Sequence, residues 1–234
     1  MAENSRVNDF GQEIGRALDW APATAPVPQM IKGREVMLEP LRVDHSEELL
    51  QALGHTPELW TYLPADPPTS VDEMAAIIQL QREIPDALPF LVRNTEGVAV
   101  GKLSYLRIQP AIGSIEVGWV TFGPALQRTR ASTEAQYLLM KHAFDDLGYR
   151  RYEWKCDSLN APSRAAAARL GFVDEGTWRN AMVLKGRNRD TTWLSITVEE
   201  WPVVRAALET WLSDANFEHG RQLRSLASLR GIPS

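Results

Sequence analysis

The chain has 234 residues, a net charge of −5, 44% hydrophobic and 24% charged residues, and one cysteine, Cys156. That length suits one large domain with appendages, and that composition can fill a core. The negative balance argues against a nucleic-acid partner, and a single cysteine excludes an intramolecular disulfide and fits a reducing, cytoplasmic compartment. No stretch approaches the ~20 apolar residues of a membrane helix, and Met1–Trp20 has no signal-peptide core. No membrane partner is expected.

Residues 1–31 are polar and then proline-rich (Pro22, Pro26, Pro28), which predicts an extended N-terminal arm. Arg34–Leu41 alternates between Gly33 and Pro40 and reads as a first strand. Asp44 with Glu47 forms a capping-box pattern before Leu49, Leu50 and Leu53, stopped by Gly54. Thr56-Pro57 opens a short turn. Ser70 with Glu73 repeats the capping signal before the stripe Val71, Met74, Ile77, Ile78 and Ile84.

Three strands follow as a meander at Pro89–Arg93, Val98–Ile108 and Ser114–Phe122. A helix is predicted over Thr133–Leu147, ended by Gly148, with Ser132 or Thr133 as its cap. Tyr152–Cys156 is a short strand. Asn160-Ala161-Pro162 starts another helix, which Gly171 ends. Phe172–Leu184 and Thr191–Val198 form a hairpin across Lys185–Asp190. The stripe Trp201, Val204, Leu208, Trp211 and Leu212 marks a helix, and Leu223, Leu226 and Leu229 suggest one more. The order is a mixed α/β (α+β) fold, a central six- to seven-stranded sheet flanked by helices. The expected division is an arm at 1–31, a main domain at 32–198 and a C-terminal helical extension at 199–234.

The chemistry concentrates in Ile115–Gly176. Ile-Glu-Val-Gly-Trp-Val (115–120) is a strand, and Gln-Arg-Thr-Arg-Ala-Ser-Thr-Glu-Ala (127–135) is a loop running into a helix. Unpaired N–H groups at such a helix start, with the helix dipole, make an anion site that suits a pyrophosphate, and Arg128 and Arg130 add charge beside it. Equally, the loop permits a simple capped helix with solvated arginines. Downstream come Asn160-x-x-Ser163, Leu170-Gly171-Phe172 and Glu175-Gly176.

Taken together, Glu-Val-Gly-Trp, the Gln127 loop and these downstream motifs resemble the GNAT acetyltransferase superfamily, in its RimJ/RimL-like branch. The resemblance covers roughly Lys32–Val198. It implies an enzyme that takes acetyl-CoA as co-substrate. It places the pyrophosphate on Gln127, Arg128, Arg130, Ala131, Ser132 and Thr133. The pantetheine arm falls on the backbone of Val120, Thr121 and Phe122 and on Asn160, in a gap where the 115–122 strand splays from the 152–156 strand. Ser163 falls near the CoA sulfur. Two positions depart from the family pattern. Arg128 and Arg130 stand where glycines are usual, and Met182 stands where RimL-like enzymes carry a catalytic glutamate.

Amine acetylation needs a proton acceptor, because an alkyl ammonium titrates near ~10 and an α-ammonium near ~8. Glu116, sharing a strand face with Ser114, Gly118 and Val120, is the candidate base. The same position also fits a cross-strand partner for a lysine or arginine. Ser163 is the candidate proton donor to the leaving thiolate, and an N–H near Trp119 or Val120 the oxyanion donor. Trp60, Tyr62, Trp119 and Trp178 are candidate acceptor contacts, although strand aromatics commonly belong to the core. Trp154 is a further aromatic of this kind. Cys156 reads as a buried inert thiol. His45, His55, His142 and His219 form no ligand pair, so no metal is expected. The basic run Lys185–Asp190 reads as a solvated turn with Asp190 paired to an arginine.

The function expected is an N-acetyltransferase moving acetyl from acetyl-CoA to a primary amine, on a protein N-terminus or a small molecule, by direct attack in a ternary complex. The alternatives are an acetyl-CoA-binding protein without catalysis, or an interaction module on a degenerate fold. A homodimer is permitted.

Overall fold

The computed structural model describes residues 5–231. The arm carries a small exposed hairpin, β1 (Ser5–Val7) with β2 (Glu13–Gly15); its first four residues lie outside the described region. The arm then runs extended, and the N–H groups of Ala23 and Thr24 donate to the carbonyls of Pro110 and Leu147.

One eight-stranded sheet organises the chain. Its strands are β3 (Ile31–Lys32), β4 (Val36–Pro40), β5 (Leu88–Asn94), β6 (Ala99–Gln109), β7 (Ser114–Phe122), β8 (Arg151–Asp157), β9 (Val173–Leu184) and β10 (Arg187–Thr197). The spatial order is β3-β4-β5-β6-β7-β8-β10-β9. Only β7 and β8 pair in parallel; every other neighbour is antiparallel. The meander β5–β7 needs only tight turns, whereas the parallel β7–β8 step requires a crossover, supplied by α3 (Arg130–Lys141).

Alternation along the strands builds two cores. Phe90, Leu103, Tyr105, Val117 and Tyr152 face α3, α4 (Ala161–Leu170) and α5 (Trp201–Leu212) in the larger one. Leu91 and Ala99 face the opposite side and pack on Leu49 and Leu53 of α1 (Ser46–Leu53), Met74 and Ile78 of α2 (Val71–Arg82), and Trp60. The rest of the α2 stripe is less deeply set: Val71 and Ile84 are exposed.

The local signals succeed where nothing competes. The Ser70 hydroxyl accepts from the N–H of Glu73, and Asn160 Oδ1 accepts from Ser163 N–H. Gly171 takes φ 112°, the left-handed region that glycine tolerates. Asp44 does not cap α1. The N–H of Arg42 donates to Nδ1 of the buried His45, a 3-10 turn occupies Val43–His45, and Asp44 pairs with the Arg42 guanidinium at 3.0 Å. Burial lowers the His45 pKa, which keeps that ring nitrogen neutral and able to accept. α3 starts three residues earlier than expected, capped by Thr129 rather than Ser132 or Thr133, and a π-type turn at His142–Asp146 completes it.

The β9–β10 turn shrinks to Lys185-Gly186, both at positive φ, as a two-residue hairpin demands. Two of its basic residues, although exposed, are tied to the loop after α1. Lys185 Nζ donates to the carbonyls of Trp60 and Ala65, and Arg187 donates to that of Thr61. Asp190 accepts from Asn180 N–H and Asn188 Nδ2 instead of an arginine. Beyond α5, the tail forms β11 (Phe217–Glu218), β12 (Arg221–Gln222) and a short α6 (Leu226–Leu229), while Leu223 stays exposed.

Candidate active site

β7 and β8 pair from Ser114–Arg151 to Val117–Trp154 and no further. Gly118–Phe122 on β7 and Lys155–Asp157 on β8 therefore have no partner across this seam. The break coincides with a bulge. Lys102 of β6 sits opposite Thr121 and Ser104 opposite Gly118, so β7 carries an extra residue between them. Trp119 takes φ 48° there, a conformation that costs a non-glycine residue about 1 kcal/mol or more.

The bulge has a buried polar support that the sequence reading missed. Lys102 is 1% exposed, and its Nζ lies 3.3 Å from the Trp119 carbonyl oxygen, which also accepts from Thr121 Oγ1 at 3.0 Å. An ammonium with one acceptor and no counter-charge is costly inside a protein. Accordingly burial lowers the Lys102 pKa to about 7. The signal was one lysine between Gly101 and Leu103 in the otherwise apolar run 98–103.

At the end of β7 the chain turns through Gly123. Leu126 and Gln127 N–H groups donate to the Gly123 carbonyl, and Gln127 Nε2 closes back on the Phe122 carbonyl. Arg128 takes φ 59°, the glycine-favoured region, and its guanidinium is exposed without an ion pair among the described residues. The amides of Arg128, Arg130 and Ala131 have no backbone acceptor among the described residues, at the start of a twelve-residue helix. That cradle fits a pyrophosphate in charge and donor supply.

The other loop candidates are occupied. Arg130 pairs with Asp214 at 2.8 Å, donates to the Leu212 carbonyl and lies over the Phe217 ring. Ser132 Oγ donates to the Thr129 carbonyl, and Thr133 Oγ1 accepts from Arg169. Their side chains serve α3, α4 and the C-terminal extension.

Glu116 is 4% exposed on β7, beside Glu153 of β8. Its Oε2 lies 2.8 Å from Lys155 Nζ and 3.8 Å from Arg107 Nε. Burial pushes its pKa above the usual carboxylate value, against the lowering pull of Lys155. A side chain at Gly118 would meet Leu106 and the Glu116 carboxylate. Lys155 Nζ and the Arg107 guanidinium also lie over the Trp193 ring, at 4.7 and 4.9 Å. Trp193 in turn lies 4.7 Å from Trp178, which is 61% exposed. Arg107, Lys155 and Trp193 were not among the expected site residues. Only the strand register reveals them.

Across the seam, Ser163 Oγ accepts from Trp154 Nε1 at 2.9 Å. Cys156 is buried and its thiol is pushed up in pKa by that burial, with Ser163 pulling the other way. Asn160 spends its carbonyl oxygen on the α4 cap. Of the aromatic candidates, Tyr62 ties its loop to the β8–α4 loop through the Leu159 carbonyl, at 3.2 Å. Trp60 is corrected: at 1% exposure it is core of the α1–α2 side and reaches no surface. Met182 is exposed on β9 opposite Arg189. Among the described residues no cluster of metal ligands occurs and no helix is long and apolar enough to cross a membrane.

Comparison with known proteins gives the family and the fold. A family model for the acetyltransferase (GNAT) domain matches residues 35–173. The crystal structure of a GCN5-related N-acetyltransferase from Brucella melitensis superposes with a TM-score of 0.88 at 41% identity, covering 92% of this chain and 99% of that one. An uncharacterised N-acetyltransferase, p20 of Bacillus licheniformis, is 26% identical over 62% of this chain and 83% of its own length. The provisionally named ribosomal N-acetyltransferase YdaF of Bacillus subtilis is 26% identical over 45% of this chain and 57% of its own.

Proposed function

The chain belongs to the GNAT acetyltransferase family and is an acyltransferase, and on that premise we propose that it moves the acetyl group of acetyl-CoA onto a primary amine by direct attack in a ternary complex. The observation that carries this reading is the loss of β7–β8 pairing beyond Val117, beside a helix start with free amides. The co-substrate supplies an acetyl group activated as a thioester. Arg128 and the amides of Arg130 and Ala131 would hold its pyrophosphate, and the unpaired edge of Val120–Phe122 would hold the amide-bearing arm.

The amine has to lose a proton as its nitrogen bonds to the acetyl carbon and the carbon–sulfur bond breaks. Glu116, buried and raised in pKa, accepts that proton directly or through water. Ser163, turned toward Cys156 and Trp154 on the opposite strand, returns one to the sulfur. The likeness to a protein provisionally named a ribosomal N-acetyltransferase favours an amine on a protein as acceptor.

A non-catalytic acetyl-CoA binder is the second reading, favoured by the Glu116–Lys155 ion pair and by Met182 at the usual glutamate position. Titration with acetyl-CoA followed by a thiol-release assay over an amine panel separates them. Saturable binding with release that depends on the amine supports transfer. Binding without release from any amine supports the second reading. No binding at millimolar ligand overturns both.

A further inference from the structure

A cavity of about 380 Å³ opens on the Glu116 face of the sheet, lined among others by Arg107, Gln109, Ser114, Arg150, Arg151 and Glu153. Ser114 stands two residues before Glu116 on β7, so the two side chains point the same way about 7 Å apart. Two of its lining residues, Arg107 and Glu153, also flank Glu116, so the cavity adjoins the proposed base.

Its charges do not cancel. Arg151 is fully engaged by Glu153, Glu175 and Ser195. Glu199, on the rim, is taken by Arg16 of the arm at 2.7 Å. Glu153 gives Oε1 to Arg151, and its Oε2 is buried without a hydrogen-bond partner. Arg107 approaches carboxylates only at 3.8 and 3.9 Å, and its Nε has no acceptor. Arg150 has no ion pair among the described residues, its stem lies with Trp20 beside Gly113, and it lines the cavity. Two guanidinium groups thus keep unspent donors in a part-buried concavity, where a charge-assisted bond to an anion is stronger than in open solvent.

Resting on the transfer reading above, we propose that this cavity is an acceptor subsite for an anionic group, so that the preferred substrate carries a carboxylate about 7 Å from its reacting amine. The anion lies between Arg107 and Arg150 beside Ser114, and the amine reaches Glu116. An acidic side chain near a peptide N-terminus and a small ω-amino acid share this chemistry.

The test compares matched acceptors: 5-aminopentanoate with pentylamine, and the dipeptide amide Ala-Glu with Ala-Gln. In the wild type, kcat/KM is expected to favour the acidic member by 10-fold or more. Arg150→Ala should shrink that ratio to below 3-fold, acting on KM rather than kcat. A stronger preference within the dipeptides identifies a peptide source, and one within the small amines a metabolite. Equal use of both members, or an Arg150→Ala loss equal for both, overturns the proposal. Should no amine be turned over, titration of 5-aminopentanoate into protein saturated with acetyl-CoA still decides it. Binding abolished by Arg150→Ala upholds the subsite, and absence of binding sinks it, whereas failure of transfer itself is read separately from thiol release.

Discussion

Lys102 holds the bulge of β7 through the carbonyl oxygen of Trp119, 3.3 Å from its Nζ. Burial places the folded pKa of this amine at about 7, against a usual 10.5. Between those values the unfolded chain binds a proton that the folded chain does not, so stability from this group rises with pH over roughly 7 to 10.5. Lys102→Met removes the rise. At pH 7 it should raise the urea midpoint, because the desolvation penalty is on the order of a few kcal/mol and the lost hydrogen bond is worth about 1. The difference from wild type should shrink toward pH 9. A variant less stable than wild type at pH 7 would mean that the amine is a net asset to the fold.

Glu116→Gln keeps the shape and removes the proposed base. A lost general base costs about 10²–10⁴ in rate, so kcat should fall by at least 100-fold with the acetyl-CoA KM within about threefold. Because the folded pKa is raised, the acid limb of the wild-type kcat profile should lie above pH 4.5. An unchanged kcat would assign Glu116 to the Lys155 ion pair alone.

The two loop arginines should part company. Arg128 has a free head, so Arg128→Ala should weaken acetyl-CoA binding by roughly 10-fold at low salt and less at high salt. Arg130 is held by Asp214, Leu212 and Phe217, so Arg130→Ala should lower stability by about 1–3 kcal/mol and leave affinity within about threefold. Calorimetric titration and urea melts of both variants read this directly, and the reverse pattern would reassign the phosphate contact.

Ser163→Ala removes the acceptor for a buried indole. It should cost about 1–3 kcal/mol of stability from the orphaned Trp154 N–H. If Ser163 also protonates the thiolate, kcat should fall about 10-fold beyond any change in KM. Thermal melts beside initial rates separate the two effects.

The chain announces its fold wherever a single residue decides a single backbone event. Asn160 and Gly171 bracket α4, Ser70 caps α2, and Ser114–Phe122 is found residue for residue. It fails where other groups compete: Asp44 pairs with the Arg42 guanidinium and leaves the α1 start without a side-chain cap, and Lys185 reaches across to the Trp60 carbonyl. The gap and its loop are legible through the family resemblance, whose motifs lie in short stretches of sequence on either side of the seam. The Glu116–Lys155–Trp193 cluster is not, because it exists only once β7, β8 and β10 are in register. Trp60 and Trp178 look alike in sequence and end at 1% and 61% exposure, a difference set by tertiary packing alone.

The clasp on Arg130 sets an order of events. Its acceptor, the Leu212 carbonyl, lies 82 residues downstream, a stretch that a ribosome adds in about 4–16 s at roughly 5–20 residues per second. During that interval the first turn of α3 has its own cap but no clasp. In a nascent chain, the tie between the start of α3 and the C-terminal extension is therefore a late acquisition, made after every strand of the eight-stranded sheet has already been synthesised.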